Sequence, residues 1–196
     1  MAWGEALGFI GGMTGMVVAL PQVRRIRSLG HGRGVSLPTW VLTLSVTAAW
    51  LGWGLRVGSP SAIVSNLIAT MLNAAVLAAL RQRGRRGSVE VLVLAVAVTG
   101  AALLLPMAVL TVLLVGLTVS RVPQVRHSWL HRHSPHESAV SMGSLIVSVF
   151  SLLCWEAYAV LEQRHLVNLT SSISLILIIA IAWIESTAPR AAAQTA

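Results

Sequence analysis

The sequence predicts an all-helical membrane protein with seven transmembrane helices in a 3+1+3 arrangement, in which a linker helix joins two parallel triple-helix repeats. Three observations predict this fold: an apolar composition, seven apolar stretches close to the thickness of a bilayer, and an internal duplication. Of the 196 residues, 56% are hydrophobic and only 10% are charged, against about 25% charged in an ordinary soluble domain. So little polar surface could not cover so apolar an interior in a soluble globule.

Composition also limits the classes of function. The single cysteine, Cys154, excludes an internal disulfide and a multi-thiolate metal site. A net charge of +8 would suit nucleic acid in a soluble protein, but the low charge density favours a bilayer as the partner. The sequence contains no aspartate, no phosphate-binding loop and no HExxH motif, so we expect neither an enzyme nor a bound cofactor. Four histidines lie in a basic segment, where we expect solvation rather than metal binding: His127, His131, His133 and His136.

Seven apolar stretches lie between charged or turn-forming breaks, and a membrane helix needs about 20 such residues. They run near 5–22, 38–55, 60–80, 89–105, 107–122, 139–158 and 166–184. The fourth and fifth are divided only by Pro106, which suits a short turn. One strongly tilted helix over 89–122, giving six spans in all, is the alternative.

Arginine placement favours seven spans and gives an orientation. With seven spans, 12 of the 14 basic residues fall on one side, and only Arg56 and Arg164 fall on the other. Positively charged loops stay in the cytoplasm, so we expect a multi-pass protein of the cell membrane with its N-terminus outside and its C-terminus in the cytoplasm. A six-span chain would place two of the arginine-rich loops on opposite faces.

The chain carries an internal duplication. The motif Pro21-Gln22-Val23-Arg24 recurs 102 residues later as Pro123-Gln124-Val125-Arg126, and Trp50 recurs 105 residues later as Trp155. The predicted repeats span residues 1–81 and 107–185, the linker helix spans 82–106, and a disordered tail covers 186–196. Because one helix separates the repeats, they have the same orientation, and such repeats pack about an axis along the membrane normal with the solute path between them.

At these positions the sequence resembles a known family. The pattern Pro21-Gln22, Gly34-Val35-Ser36-Leu37-Pro38, Trp50-x-x-Trp53-Gly54 and Asn66 is similar to the PQ-loop repeat of SWEET and SemiSWEET sugar transporters. The resemblance covers about residues 8–80 and 108–184. It implies facilitated diffusion of a small neutral solute, first of all a mono- or disaccharide, by alternating access. The alternatives are an amino-acid or other metabolite carrier of the PQ-loop type, and a non-transporting membrane receptor or scaffold.

The resemblance also implies which residues contact the solute. Residues matching Trp50 and Asn66 line the sugar pocket in the SemiSWEET pattern. In the second repeat Trp155 matches, Ser171 replaces the asparagine, and Asn168 lies one helical turn away and is expected to substitute in part. An indole face and amide or hydroxyl groups suit the C–H faces and hydroxyls of a sugar. The alternatives are an interfacial belt for the tryptophans and helix–helix hydrogen bonding for Asn66.

Hinges are predicted at the two Pro-Gln pairs. Pro21 and Pro123 each remove a backbone donor and free a carbonyl four residues back, which Gln22 and Gln124 can satisfy. The duplication favours hinges for rocking between two access states over static helix ends.

Candidate gate residues lie beside these elements. Trp53 and Tyr158 follow the repeated tryptophans by one turn and are expected at an outer gate or an interfacial belt. Arg121 is expected to snorkel to the cytoplasmic interface, with an inner-gate contact as the alternative. Glu156 is the carboxylate that would permit proton coupling if it lay deep in the membrane; the absence of aspartate favours uniport.

Glycines recur every four residues in the first helix, which lets helices approach closely. Gly4, Gly8 and Gly12 form one series, and Gly11 with Gly15 repeats the spacing. We expect them to pack the first helix within its own bundle. A seam between protomers of a homo-oligomer is the alternative.

Overall fold

The computed structural model describes residues 3–29, 37–81, 84–119, 122–131 and 142–187. Within these ranges all regular structure is helical, which confirms the predicted fold class of an all-helical membrane protein. We number the helices in chain order: α1 (Trp3–Leu29), α2 (Leu37–Val57), α3 (Pro60–Arg81), α4 (Gly84–Leu104), α5 (Met107–Val119), α6 (Val122–His131), α7 (Met142–Leu161) and α8 (His165–Thr187). Only residues 120–121 separate α5 from α6.

Residues 89–119, the described part of the long apolar stretch, form two helices and not one. α4 ends at Leu104 and α5 begins at Met107, because Pro106 has no amide hydrogen to continue the helix. The carbonyl of Pro106 instead accepts the first bond of α5, from the amide of Leu110 at 3.1 Å. The break removes the six-span alternative.

Several helices in the described ranges are suited to a bilayer. Three are long and apolar enough to cross one, namely Pro60–Ala78, Gly87–Leu104 and His165–Ile184, and Met107–Val119 and Leu145–Leu161 are shorter apolar helices. Large apolar side chains cover the outside of the bundle, including six on α4 and five on the shorter α5. Such a surface is typical of a lipid-facing helix.

A tight turn connects α2 to α3. Gly58 has a φ of +65°, and the amide of Ser59 donates to the carbonyl of Gly54 at 3.1 Å, which together form a Schellman C-cap. Ser59 then caps α3, since its Oγ accepts from the amide of Ala62 at 3.3 Å, and Pro60 occupies the first helical position that suits it.

The second repeat closes its matching turn in the same way. At the end of α7, Gln163 has a φ of 54° and the amide of Arg164 donates to the carbonyl of Ala159 at 2.8 Å. All three positions lie 105 residues after those of the first turn. The duplication seen in the sequence therefore extends to backbone geometry.

Gln163→Gly is expected to stabilise the protein. A non-glycine residue in the left-handed conformation costs about 1–2 kcal/mol. Glycine avoids this cost but loses about 0.5–1 kcal/mol more conformational entropy on folding, so we expect a net gain in stability of up to about 1 kcal/mol. The thermal midpoint in detergent measures it. Gly58→Gln is the matched control with the opposite sign, because a Cβ there meets nothing within 4 Å and only φ opposes it. A lower midpoint for Gln163→Gly would contradict the turn geometry.

The helices of each repeat pack in the same order. α3 lies between α1 and α2, and α8 lies between α7 and the α5–α6 pair. The linker helix α4 packs on α2 and α3. It approaches α2 closely at Gly52, where an added Cβ would lie 2.6 Å from the Cβ of Ala102, and Thr99 Oγ1 donates to the carbonyl of Ala48 at 3.2 Å.

The glycines of α1 are covered inside the chain. Cβ atoms added at Gly8 and Gly12 would lie 2.3 Å from Ser61 Oγ and 2.4 Å from Ser65 Cβ of α3, as predicted for packing within the first bundle. The other face, at Gly11, packs on α7 of the second repeat. Gly8 and Gly12 thus pack α1 on its own repeat, whereas Gly4, whose added Cβ would meet Glu162, joins Gly11 in facing the second repeat.

Two helices extend beyond the predicted ends. α1 was expected to end near residue 22 but continues to Leu29, so Pro21 lies inside a helix. A proline removes only one hydrogen bond and can kink a helix without ending it, and the arginines that follow suit the negative end of a helix dipole. In the second repeat, α6 carries Pro123 in its first turn, where proline is tolerated, and reaches His131.

A cavity between the two repeats as candidate functional site

A cavity of about 390 Å³ lies between the two repeats. Helices α2 and α3 form one side, and α5, α7 and α8 form the other. Its volume falls within the range of small-molecule sites. Its lining residues are Leu42, Thr43, Val46, Thr47, Trp50, Trp53, Ala62, Asn66, Leu114, Leu117, Thr118, Leu152, Trp155, Val167, Thr170, Ser171 and Ser174.

Equivalent positions of the two repeats face each other across this cavity. Four pairs of lining residues lie 105 positions apart in the sequence: Thr47 and Leu152, Trp50 and Trp155, Ala62 and Val167, Asn66 and Ser171. Four of the five predicted solute-contacting residues are among them. The cavity is therefore built by the duplication itself.

Two aromatic pairs form the walls. Trp50 packs edge-on against Trp53 with ring centroids 5.4 Å apart, and Trp155 packs in the same way against Tyr158 at 5.3 Å. Trp53 and Tyr158 are 3% and 0% exposed, and Trp50 and Trp155 are half-buried. An interfacial belt would leave these rings exposed to lipid, as Trp3 is at 84%. The partners Trp53 and Tyr158 hold the two cavity rings in place.

The polar lining is neutral. It consists of hydroxyls and one amide, from Thr43, Thr47, Asn66, Thr118, Thr170, Ser171 and Ser174. Asn66 Nδ2 donates to the carbonyl of Ala62 at 2.9 Å, which leaves its Oδ1 and second amide hydrogen for a ligand. Asn73, by contrast, lies outside the lining and donates to Thr47 Oγ1 at 3.3 Å.

A carboxylate lies directly behind the second-repeat wall. Asn168 Nδ2 and Ser172 Oγ donate to Glu156 Oε1 at 2.6 and 2.8 Å, and Ser171 Oγ donates to Oε2. Glu156 and Asn168 do not line the cavity, so Asn168 holds Glu156 in place. Ser171 and Ser172 follow Asn168 by three and four residues, which places each of them beside Asn168 on one face of α8. That spacing is the sequence signal by which this cluster could have been found.

A hydrogen-bonded cluster joins the repeats at the end of the bundle that carries the turns after α2 and α7. Tyr158 Oη donates to Ser59 Oγ at 2.7 Å, and Ser59 Oγ donates to Glu5 Oε1 at 3.1 Å. Glu5 Oε2 also accepts from the amide of Ser61 at 2.8 Å, where the positive end of α3 favours a carboxylate. Glu5 is thus buried in this cluster, which joins α1 and α3 to α7.

The cavity is closed at the end of the bundle that carries this hydrogen-bonded cluster, and its lining continues towards the opposite end. The rings of Trp53 and Tyr158, two candidate gate residues, belong to a buried apolar cluster at the closed end. Towards the opposite end, where α1 ends at Leu29, the lining continues to Leu42 and Thr118. Arg121 lies outside the described residues, as do the side chains of the two Pro-Gln pairs. Among the described residues, no group of His, Cys, Asp or Glu could hold a metal ion.

Comparison with known proteins identifies the fold. No protein-family model and no curated protein matches the sequence. The structure of a eukaryotic SWEET transporter matches with a TM-score of 0.70 and 16% sequence identity, over 94% of this chain and 98% of that one. The chain therefore has the fold of a SWEET transporter, with the cavity between its two duplicated halves.

Proposed function

We propose that the protein is a membrane transporter that moves a small neutral solute, a mono- or disaccharide, by facilitated diffusion. The observation that carries this proposal is the neutral cavity between the repeats, with Trp50 and Trp155 at equivalent positions of its two sides. The fold supports it, because transporters built from parallel repeats bind their solutes between those repeats. A receptor or scaffold would not need such a cavity.

The lining favours a sugar over an amino acid. An indole face packs on the C–H face of a sugar ring, and hydroxyl and amide groups pair with its hydroxyls. A zwitterionic amino acid requires partners for an ammonium and a carboxylate, because burying an unpaired charge is costly. The described lining contains no charged side chain.

Alternating access follows from the two ends of the cavity. The cluster of Tyr158, Ser59 and Glu5 closes one end, and positive loops place the other end in the cytoplasm of a cell-membrane protein. The structure then corresponds to a state closed on the outside. Opening requires this cluster to separate while the repeats rock about the α1–α7 contact, and bending at Pro21 and Pro123 would permit it.

Uptake into proteoliposomes tests the function. With radiolabelled glucose, sucrose and a set of amino acids, we expect saturable uptake of a sugar and none of the amino acids. Dissipating a proton gradient with an ionophore should leave the rate unchanged, since none of the described side chains that line the cavity is ionisable. Protein-free liposomes are the control. Uptake of amino acids instead of sugars would replace the proposed solute, and no uptake of any solute would favour a receptor or scaffold.

Asn66→Ala is expected to raise the KM of sugar uptake by up to about tenfold, since a hydrogen bond contributes about 0.5–1.5 kcal/mol. Ser65→Ala is the matched control, because Ser65 lies beside Asn66 on α3 but outside the lining and donates to the carbonyl of Ser61 at 2.6 Å. Its KM should change less than twofold. Size-exclusion chromatography checks that both variants fold. An unchanged KM in folded Asn66→Ala would remove Asn66 from the binding site.

A further inference from the structure

We infer that Glu156 is a positioning residue that makes Ser171, on the second-repeat side of the cavity, an acceptor of hydrogen bonds and not a donor. It does so through Ser171, which touches both the cavity and the carboxylate. This inference rests on the proposed transport function and adds a rule for the solute: one of its hydroxyls must donate towards α8.

The hydrogen bonds of Ser171 support this step. Its Oγ has three partners in the protein, and all are acceptors: Glu156 Oε2, the carbonyl of Val167 at 2.7 Å and the carbonyl of Asn168 at 3.2 Å. A serine hydroxyl has one hydrogen and two lone pairs. That hydrogen is engaged within the protein, so only a lone pair remains for a solute.

Glu156 is held so that it accepts from Ser171. Asn168 and Ser172 converge on its other oxygen, Oε1, which fixes the plane of the carboxylate and leaves Oε2 for Ser171. An ionised carboxylate has no hydrogen to donate, and bonds to a charged group are about twice as strong as neutral ones. Glu156 is thus the strongest of the three acceptors that compete for the Ser171 hydrogen.

The first repeat lacks this arrangement. Leu51 stands at the position that matches Glu156, and Asn66 at the position that matches Ser171. Asn66 keeps both an amide hydrogen and Oδ1 for a ligand. The two sides of the cavity therefore differ: the first offers donors and acceptors, and the second accepts at Ser171. A polyhydroxylated neutral solute would bind in one preferred orientation between them.

Fluorinated sugars test this rule. Replacing a hydroxyl by fluorine removes the donated hydrogen and keeps a weak acceptor of similar size. Monodeoxyfluoro analogues of the transported sugar, glucose or sucrose, are measured as competitors of its uptake. For the wild type, we expect one analogue to bind about tenfold more weakly than the sugar, since it cannot donate to Ser171.

Two variants should remove that discrimination. In Glu156→Gln the new amide can donate to Ser171 Oγ and so compete with the solute for its lone pairs, and in Ser171→Ala the acceptor is gone. In both, the discriminated analogue should bind within twofold of the sugar, and the change should appear in KM with Vmax retained. Ser186→Ala, a hydroxyl deletion on the same helix outside the lining, removes only a bond to the carbonyl of Trp183 and should keep the wild-type pattern.

The outcomes separate this inference from the transport function. No sugar uptake by the wild type would mean that the proposed function fails. Wild-type uptake with discrimination retained in folded Glu156→Gln and Ser171→Ala would overturn the positioning role alone. An equal loss of discrimination in Ser186→Ala would also overturn it, because the loss would then be a general effect of removing a hydroxyl from α8.

Discussion

Gly12→Leu is expected to prevent the bundle from assembling. A Cβ at Gly12 would lie 2.4 Å from Ser65 Cβ of α3, and 3.5 Å from Trp155 Cζ2 of α7. Neither a Cβ nor a packed indole can move aside without moving its helix. Overpacking a close contact costs about 1–3 kcal/mol, and occasionally more, and leucine adds three carbons beyond the Cβ. We expect loss of the monodisperse peak in size-exclusion chromatography.

Gly100→Leu is the matched control for that substitution. Gly100 lies inside α4, and a Cβ there meets nothing within 4 Å. Leucine also has a higher helix propensity than glycine by roughly 0.5–1 kcal/mol. The control should therefore keep or raise the thermal midpoint. Normal folding of Gly12→Leu would contradict the close packing of α1 on α3 and α7.

Trp50→Ala is expected to reduce sugar affinity about 30-fold. Trp50 lines the cavity, and Trp53 fixes its ring from behind. Truncating a central aromatic anchor of a binding site costs about 2 kcal/mol or more, which corresponds to a factor of about 30. Trp50→Phe keeps an aromatic face and should retain part of that affinity. Transport kinetics in proteoliposomes, or quenching of tryptophan fluorescence by sugar, would measure the loss.

Trp3→Ala is the control for Trp50→Ala. Its ring is 84% exposed at the start of α1 and lies outside the cavity lining, so sugar affinity should not change. Equal losses in the two variants would indicate a general effect of removing tryptophan. Unchanged affinity in folded Trp50→Ala would show that the sugar binds elsewhere.

Helix boundaries were predictable where the chain itself imposes a break. Pro106 lacks an amide hydrogen, and Gly58 permits a left-handed φ, so both mark turns in the sequence and in the structure. The end of α1 was not predictable in this way, because Pro21 weakens a helix without always ending it. Whether a helix continues past such a proline depends on the elements that pack beside it, and the pattern of apolar residues does not show which elements those are.

The candidate site was predictable only in part. The 105-residue offset indicated that Trp50 and Trp155 share a role, and the structure places both on one cavity. The role of Asn168 was not predictable, since its spacing on α8 suits both a cavity contact and the bond to Glu156 that the structure shows. Only the position of α7 against α8 decides between them.

The sequence by itself determined the class of the fold: its apolar stretches require helices in a bilayer, and its duplication requires two like units. The helices follow from the need to satisfy backbone hydrogen bonds in lipid. The like orientation of the two units follows from the single helix between them, because each crossing of the membrane reverses the direction of the chain. The tertiary structure alone decided that the cavity is neutral, that Glu156 supports its wall and that Glu5 joins the repeats. These depend on side chains far apart in the chain, which meet only when the helices pack.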